Sequence, residues 1–143
     1  MTKTDICAIH NYAHGRKDEP EKQKHFEWAL STKEALLTEQ PAGRAIYVGG
    51  FSNQGEPIIL TEFGGIAYTG NNDGWGYTVA ATEEEFLQEY TRLIDAIGKS
   101  EALCGFVYTQ ITDVEQEING LLRYDRTPKF SLEAIKKIND RIS

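Results

Sequence analysis

The sequence has 143 residues, the length of one ordinary domain. Its 40% apolar and 26% charged residues are typical of a globular chain and exclude a disordered tail. The net charge is −7 with no basic face to hold a phosphate backbone, so we expect no nucleic-acid partner. The apolar runs are far shorter than the ~20 residues of a membrane span, and no charged-then-apolar leader opens the sequence. We therefore expect neither a membrane partner nor a secretion signal.

Both cysteines, Cys7 and Cys104, lie in apolar runs of strand length. We interpret them as buried, reduced thiols, which predicts a cytoplasmic protein. The length sets a further limit, because a closed eight-stranded β/α barrel needs roughly 200 to 250 residues. The chain alone is too short to form such a barrel.

Three apolar runs of strand length alternate with three amphipathic segments of helix length. The predicted strands are 5–10, 57–63 and 102–109, and the predicted helices are 21–38, 82–98 and 131–141. Thr82 and Glu85 predict a capping box at the start of the second helix, and Gly98 predicts its end. Repeated strand–helix units favour a parallel sheet covered by helices, in one α/β unit without a domain boundary.

Two segments allow more than one interpretation. Residues 44–51 form either a fourth short strand or an extended lead-in, because the pair Gly49-Gly50 disfavours a long strand. Residues 66–81 are too long for a simple connector. The aromatic side chains Trp75 and Tyr77 in this loop fit a packed lid and a sugar-stacking wall equally well.

Polar residues follow the predicted strands, at the edge where parallel β/α folds gather their functional groups. They are residues 10–12, Glu62 and residues 108–110. Glu62 is the unusual member, because a carboxylate on an apolar strand is costly unless it is hydrogen-bonded or used. It is either a functional group or a structural carboxylate that caps a helix or pairs with an arginine.

Other chemistries have little support. His10 and His14 are four residues apart, but Asn11 and Gly15 place them in a loop, where this spacing makes no metal pair. Ser52 lies in no nucleophile elbow, and no glycine-rich nucleotide-binding motif occurs. We therefore expect no metal and no cofactor.

The motifs resemble glycoside hydrolase family 2, the β-galactosidase and β-glucuronidase family. Residues 57–64 (PIILTEFG) resemble its seventh barrel strand, and residues 105–113 (GFVYTQITD) look like the eighth. Residues 5–12 look like the sixth strand, and 120–129 resemble the tail that closes the barrel. The resemblance implies that residues 1–143 are a partial (β/α)8 barrel, strands six to eight with covering helices, from the C-terminal part of a retaining β-glycosidase.

This resemblance implies roles for particular residues. Glu62 corresponds to the catalytic nucleophile, and Tyr12 to the tyrosine that hydrogen-bonds it. The residues that would contact a carbohydrate substrate are His10, Asn11, Trp75, Tyr77, Thr109 and Gln110. The family places its acid/base in an Asn-Glu pair, and this sequence contains no such dipeptide. We therefore expect the chain alone to be nearly inactive.

Three parallel strands would leave open edges, so we expect self-association or association with the missing N-terminal part of the same enzyme. An alternative function is a small carbohydrate-binding α/β module without hydrolysis, which needs 44–51 as a genuine fourth strand. A third possibility is a compact enzyme whose acid is Asp113 or Glu115.

Overall fold

The computed structural model describes residues 1–70 and 74–142. The strands are β1 (Cys7–His10), β2 (Ile58–Gly64), β3 (Ile66–Tyr68), β4 (Thr78–Ala80) and β5 (Leu103–Thr109). The helices are α1 (Pro20–Ser31), α2 (Lys33–Thr38), α3 (Glu83–Gly98) and α4 (Leu132–Asn139), with one 3-10 turn at Pro41–Gly43. No helix within these two described ranges is long and apolar enough to cross a membrane.

The strands build two small parallel sheets. One has the order β1-β2-β5 with β2 in the centre, and the other consists of β3 and β4. Parallel strands with intervening helices confirm the predicted α/β class. The three-stranded sheet is open in the described part of the chain, so the structure does not show a closed barrel.

The helices cover one face of the three-stranded sheet. The strand residues that join the buried core on this face are Cys7, Ile9, Ile58, Leu60 and Phe63. The alternate residues of β1, Ala8 and His10, are exposed. The second face of the sheet therefore lacks a covering layer in the described chain.

Helix α3 has the predicted capping box. Thr82 Oγ1 accepts a hydrogen bond from the Glu85 backbone N–H at 3.1 Å, and Glu85 Oε2 accepts one from the Ala81 N–H at 2.9 Å. The first bond satisfies an amide group that the helix start would otherwise leave unpaired, and the second joins Glu85 to the residue before the cap, Ala81, rather than to Thr82. The buried residues of α3 join the hydrophobic core and are Phe86, Tyr90, Leu93, Ile94, Ala96 and Ile97.

Two predicted elements differ from those observed. The predicted helix 21–38 is broken at Thr32, which is extended (φ −129°, ψ 162°) and caps α2 by accepting from the Ala35 N–H at 3.2 Å. Threonine is favoured at the N-cap position because its hydroxyl accepts a hydrogen bond from a backbone N–H of the first turn, and here it begins a new helix. Residues 44–51, all of them described, form no strand. They bend at residues 46–47 and turn at residues 48–51, where the Phe51 N–H donates to the Val48 carbonyl oxygen at 3.1 Å, so they are not an extended lead-in either.

The predicted loop 66–81 contains β3 and β4, and its residues 71–73 lie outside the described residues. The prediction of two buried thiols is wrong for Cys104, which is exposed, whereas Cys7 is buried. Register explains the difference: Ile58 pairs with Leu103 and Ile59 with Gly105, so the residue between them has no partner. An unpaired residue in an edge strand is open to solvent.

Candidate active site

A β-bulge in β2 sets the direction of the Glu62 side chain. Ile9 of β1 pairs with Leu60, but the next residue, His10, pairs with Glu62, so Thr61 is an extra residue in the ladder. The β2–β5 pairing is irregular over the same stretch, between Leu60 and the following paired residue of β2. An extra residue in one strand re-aims the side chains that follow it.

The bulge reverses the face on which Glu62 would otherwise lie. Strict alternation from Ile58 and Leu60 would direct the Glu62 side chain into the helix-covered core. Instead the side chain is 43% exposed and lies beside the exposed His10, while Phe63 is fully buried. The carboxylate is therefore at the carboxyl end of the central strand, on the uncovered face.

Two groups contact the same oxygen of Glu62. The Tyr12 hydroxyl lies 2.9 Å from Oε2, and His10 Nδ1 lies 3.1 Å from it. Tyr12 is also 2.9 Å from the Thr109 hydroxyl. A phenol has one proton, so Tyr12 donates to the carboxylate and accepts from Thr109. The described residues make no hydrogen bond to Oε1.

Tyr12 is a permanent donor in this arrangement. Burial raises the pKa of Tyr12 well above its usual range, and the Thr109 hydrogen bond only partly offsets this. The neighbouring Glu62 carboxylate raises that pKa further, because it disfavours a second negative charge. The phenol therefore keeps its proton at neutral pH.

Aromatic side chains extend the site beyond Tyr12. Its ring stacks on Tyr77 with 3.7 Å between centroids and 9° between planes, and Trp75 meets Tyr77 edge-on at 4.9 Å. Trp75 is 48% exposed and Tyr77 41% exposed, so both present ring surface to solvent. Exposed aromatic faces beside a carboxylate suit the apolar faces of a sugar ring.

The glycines after Glu62 make room for two tyrosines. A Cβ on Gly64 (φ +87°) would lie 2.3 Å from Tyr108 Cε2. A Cβ on Gly65 (φ +61°) would lie 2.5 Å from Tyr77 Cδ2. Both positions also have positive φ, which disfavours any side chain. The Gly64-Gly65 pair therefore sets the close approach of Tyr77 to the site.

Two predicted substrate contacts are occupied by internal bonds. Asn11 is buried, and its Oδ1 accepts from the Ala13 N–H at 2.9 Å. Gln110 Nε2 donates to Glu117 Oε2 at 3.2 Å and to Asn119 Oδ1 at 2.7 Å. Asn11 and Gln110 therefore shape the loops beside Glu62, whereas His10, Trp75 and Tyr77 are the exposed groups.

Asp113 is engaged elsewhere. Its Oδ1 accepts from Lys129 Nζ and from the Gly120 N–H at 2.9 Å. Burial lowers the pKa of Lys129, and the hydrogen bond to Asp113 works in the opposite direction. A carboxylate held by an ammonium is poorly placed to deliver a proton. Among residues 1–70 and 74–142, no group of three His, Cys, Asp or Glu side chains is placed to hold a metal ion.

A buried cluster behind the site was missed from the sequence. His14 is fully buried and lies against the Gly64 carbonyl, and Glu89 and Arg92 reach it from α3. The sequence offers only a weak signal, a histidine between Ala13 and Gly15 in a loop. Nothing in the α3 pattern marks Glu89 or Arg92 as partners of that loop.

Glu89 predicts a pH dependence of stability. Burial raises the pKa of Glu89, but hydrogen bonds from His14 and Arg92 outweigh it and leave that pKa below its ordinary value. A carboxyl group whose pKa is lower in the folded than in the unfolded state, where it is about 4.3, stabilises the fold at pH values above that unfolded pKa. This stabilisation is lost as the pH falls through the pKa of the folded state. We therefore expect Glu89→Gln to flatten the fall in stability below about pH 4.5, measured by urea unfolding across a pH series.

The matched control is Glu27→Gln, since Glu27 is exposed on α1. This variant should keep the pH slope of the unchanged protein. An equal slope in the Glu89 variant and the unchanged protein would contradict the proposed contribution of Glu89.

No protein-family model and no curated protein matches the sequence. Solved structures do match it, and those compared are glycoside hydrolases. They include an exo-beta-agarase (TM-score 0.62, 19% identity), a beta-glucuronidase of Bifidobacterium dentium (0.58, 21%) and a GH2 beta-galacturonidase from Eisenbergiella tayi (0.54, 17%).

These alignments cover 96%, 96% and 97% of this chain but only 16%, 20% and 24% of the respective glycosidase chains. The chain thus spans a quarter or less of the length of the solved structures that it matches. At such identities the likeness is one of fold. The chain folds like one part of much larger glycosidases.

Proposed function

We propose that this chain is the C-terminal part of the catalytic (β/α)8 barrel of a retaining β-glycosidase resembling glycoside hydrolase family 2. Glu62 is the nucleophile and Tyr12 orients it. His10, Trp75, Tyr77 and Thr109 line the sugar site, and Asn11 and Gln110 support it. The substrate is a β-glycoside of the galactoside or glucuronide type.

One observation carries the proposal: a carboxylate at the end of the central strand accepts a hydrogen bond from Tyr12 on one oxygen, beside His10, and none on the other from the described residues. Tyr12 donates to Oε2 and His10 Nδ1 lies 3.1 Å from the same oxygen, so Oε1, which accepts no hydrogen bond from the described residues, keeps the free lone pair that a nucleophile requires. The fold shared with larger glycosidases supports the same assignment. A purely structural carboxylate would instead be expected to pair with an arginine or cap a helix.

The reaction proceeds in two displacements. Glu62 Oε1 attacks the anomeric carbon, the bond from that carbon to the leaving oxygen breaks, and a glycosyl ester of Glu62 forms. Water then attacks the same carbon, gives one proton to the acid/base, and releases Glu62 as a carboxylate. Tyr12 donates to Oε2 throughout, which fixes the carboxylate while its charge is lost and restored.

The acid/base of this reaction comes from outside the sequence. A retaining glycosidase needs a second carboxyl group ~5–5.5 Å from the nucleophile, and general acid catalysis of this kind contributes typically 10²–10⁴-fold. The family's Asn-Glu pair does not occur here, and Asp113 is bound by Lys129. We propose that the remaining strands of the enzyme supply this acid and cover the open face of the sheet.

The alternative of a self-sufficient binding module has less support. It requires residues 44–51 as a fourth strand, and these residues form bends and a turn instead. The open face and the edges of the three-stranded sheet remain uncovered within the described chain. A part of a larger barrel accounts for both features.

A substrate that needs no acid tests the proposal on the chain as it is. We expect 2,4-dinitrophenyl 2-deoxy-2-fluoro-β-D-galactoside or its glucuronide counterpart to glycosylate Glu62. Dinitrophenolate leaves without protonation, and the fluorine slows hydrolysis of the ester because it destabilises the oxocarbenium-like transition state. Intact-mass measurement shows the adduct, and peptide mapping assigns it to a residue.

The control is Glu62→Gln, which keeps the size of the side chain and removes the nucleophilic oxygen. It should acquire no label from either glycoside. Absence of label in the unchanged chain, or a label on another residue, would refute the role of Glu62.

A further inference from the structure

His14 is a buried titratable side chain that the reaction does not use. It lies in the loop between β1 and α1, two residues after Tyr12, and none of it is exposed. Its ring packs edge-on against Phe26 of α1, with 5.8 Å between ring centroids. A histidine is costly in such a place unless its ring nitrogens are bound.

The best of its hydrogen bonds is made to the strand that carries Glu62. Nε2 lies 2.8 Å from the carbonyl oxygen of Gly64, which can only accept, so Nε2 carries a proton and donates it. Gly64 is two residues after Glu62 and is the last residue of β2. His14 therefore connects the Tyr12 loop directly to the end of the Glu62 strand.

Helix α3 fixes His14 from the other side. Nδ1 faces the Gly15 carbonyl at 3.4 Å and Glu89 Oε1 at 3.6 Å. Arg92 is paired with Glu89 and donates from Nη2 to the carbonyl oxygens of His14 at 2.9 Å and Gly15 at 3.3 Å. The histidine is thereby held against the longest helix of the fold, with both its ring and its backbone bound.

We propose that His14 is a positioning residue for the glycosidase reaction: its Nε2–H bond to Gly64 holds Tyr12 and Glu62 at hydrogen-bond distance. This inference rests on the proposed function. Tyr12 and Glu62 lie on two segments that the chain separates by 50 residues. Besides their own hydrogen bond, the Asn11 N–H donates to the Glu62 carbonyl oxygen at 2.9 Å. His14 adds a side-chain bond on the far side of Tyr12, so the two segments are joined on both flanks.

Two amide substitutions separate this role from simple space filling. In His14→Gln the amide nitrogen takes about the place of Nε2 and can still donate to Gly64, whereas in His14→Asn it takes about the place of Nδ1 and cannot. Both variants lose the ring and its packing on Phe26. They differ chiefly in the bond to Gly64.

Two measurements compare the unchanged chain with the two His14 variants. Both are made under conditions in which urea titration shows every variant to be folded. The first is the rate of labelling by the activated 2-fluoro glycoside. We expect the Gln variant to stay within about threefold of the unchanged chain and the Asn variant to be slower by about tenfold or more, since misplacement of a reacting group by 1 Å can cost 10²-fold. The second is the carboxyl ¹³C NMR signal of Glu62, assigned by Glu62→Gln. It should move in the Asn variant only.

Equal rates and equal signals in the Gln and Asn variants would overturn the positioning role. If the unchanged chain takes no label, the proposed function fails, and the Glu62 signal alone then decides whether His14 positions the carboxylate. If the Asn variant does not fold, Glu89→Gln replaces it, because it weakens the hold on the same ring. A moved signal in that variant supports the proposal, and an unmoved one overturns it.

Discussion

Tyr12→Phe should slow glycosylation of Glu62 by about 10²-fold, because a nucleophile that is misplaced by 1 Å loses about that factor. The substitution removes the only hydroxyl that contacts Glu62 Oε2 in the described chain and leaves His10 as its single partner. The ring can still stack on Tyr77, so the site keeps its shape. The measurement is the rate of label incorporation from the 2-fluoro glycoside, followed by intact mass.

The matched control is Tyr124→Phe, which removes an identical hydroxyl from an exposed tyrosine outside the site. Its labelling rate should equal that of the unchanged chain. Equal rates for the Tyr12 variant and this control would show that the hydrogen bond does not orient the nucleophile.

Gly64→Ala should lower the free energy of unfolding by roughly 2–5 kcal/mol, since it combines strain at positive φ with overpacking. The added Cβ would lie 2.3 Å from Cε2 of Tyr108, at a φ of +87°. Tyr108 cannot move aside at low cost, because its hydroxyl binds the Asn119 carbonyl at 3.2 Å and its ring packs on Phe63 and Tyr90. Urea unfolding monitored by circular dichroism measures the loss.

Gly49→Ala is the control for this substitution. A Cβ at Gly49 would have no atom within 4 Å, and its φ is not in the left-handed region. Its stability should stay within about 1 kcal/mol of the unchanged protein, with a slight gain from the lower entropy of the unfolded chain. A Gly64 variant with the same urea midpoint as this control would refute the steric argument.

The regular elements were predictable because their signals are local. The capping box of Thr82 and Glu85 and the buried stripe of α3 depend on residues within one helix. The break at Thr32 was missed because the apolar spacing continues from α1 into α2, and only the cap geometry separates them. The burial of Cys104 was mispredicted because an apolar run does not reveal where the strand register slips.

The site was predictable in its residues and less so in its geometry. The resemblance pairs Tyr12 with Glu62, and the structure brings these side chains within 2.9 Å. Alternation along β2 gives no warning that Glu62 turns away from the core, because a bulge depends on pairing between strands. The His14 bond to Gly64 joins residues that are 50 positions apart, which no local pattern can reveal.

The extra residue at Thr61 makes the direction of the Glu62 side chain depend on the register between β1 and β2. Thr61 contributes little more than a hydrogen bond from its hydroxyl to the Ile9 carbonyl at 3.2 Å, so other side chains should serve at this position. If Thr61 instead took a regular place in the ladder opposite His10, alternation would turn the Glu62 side chain into the helix-covered core. Deletion of Thr61 would remove the extra residue and leave Glu62 directly after Leu60, so Glu62 would keep its place opposite His10 on the uncovered face.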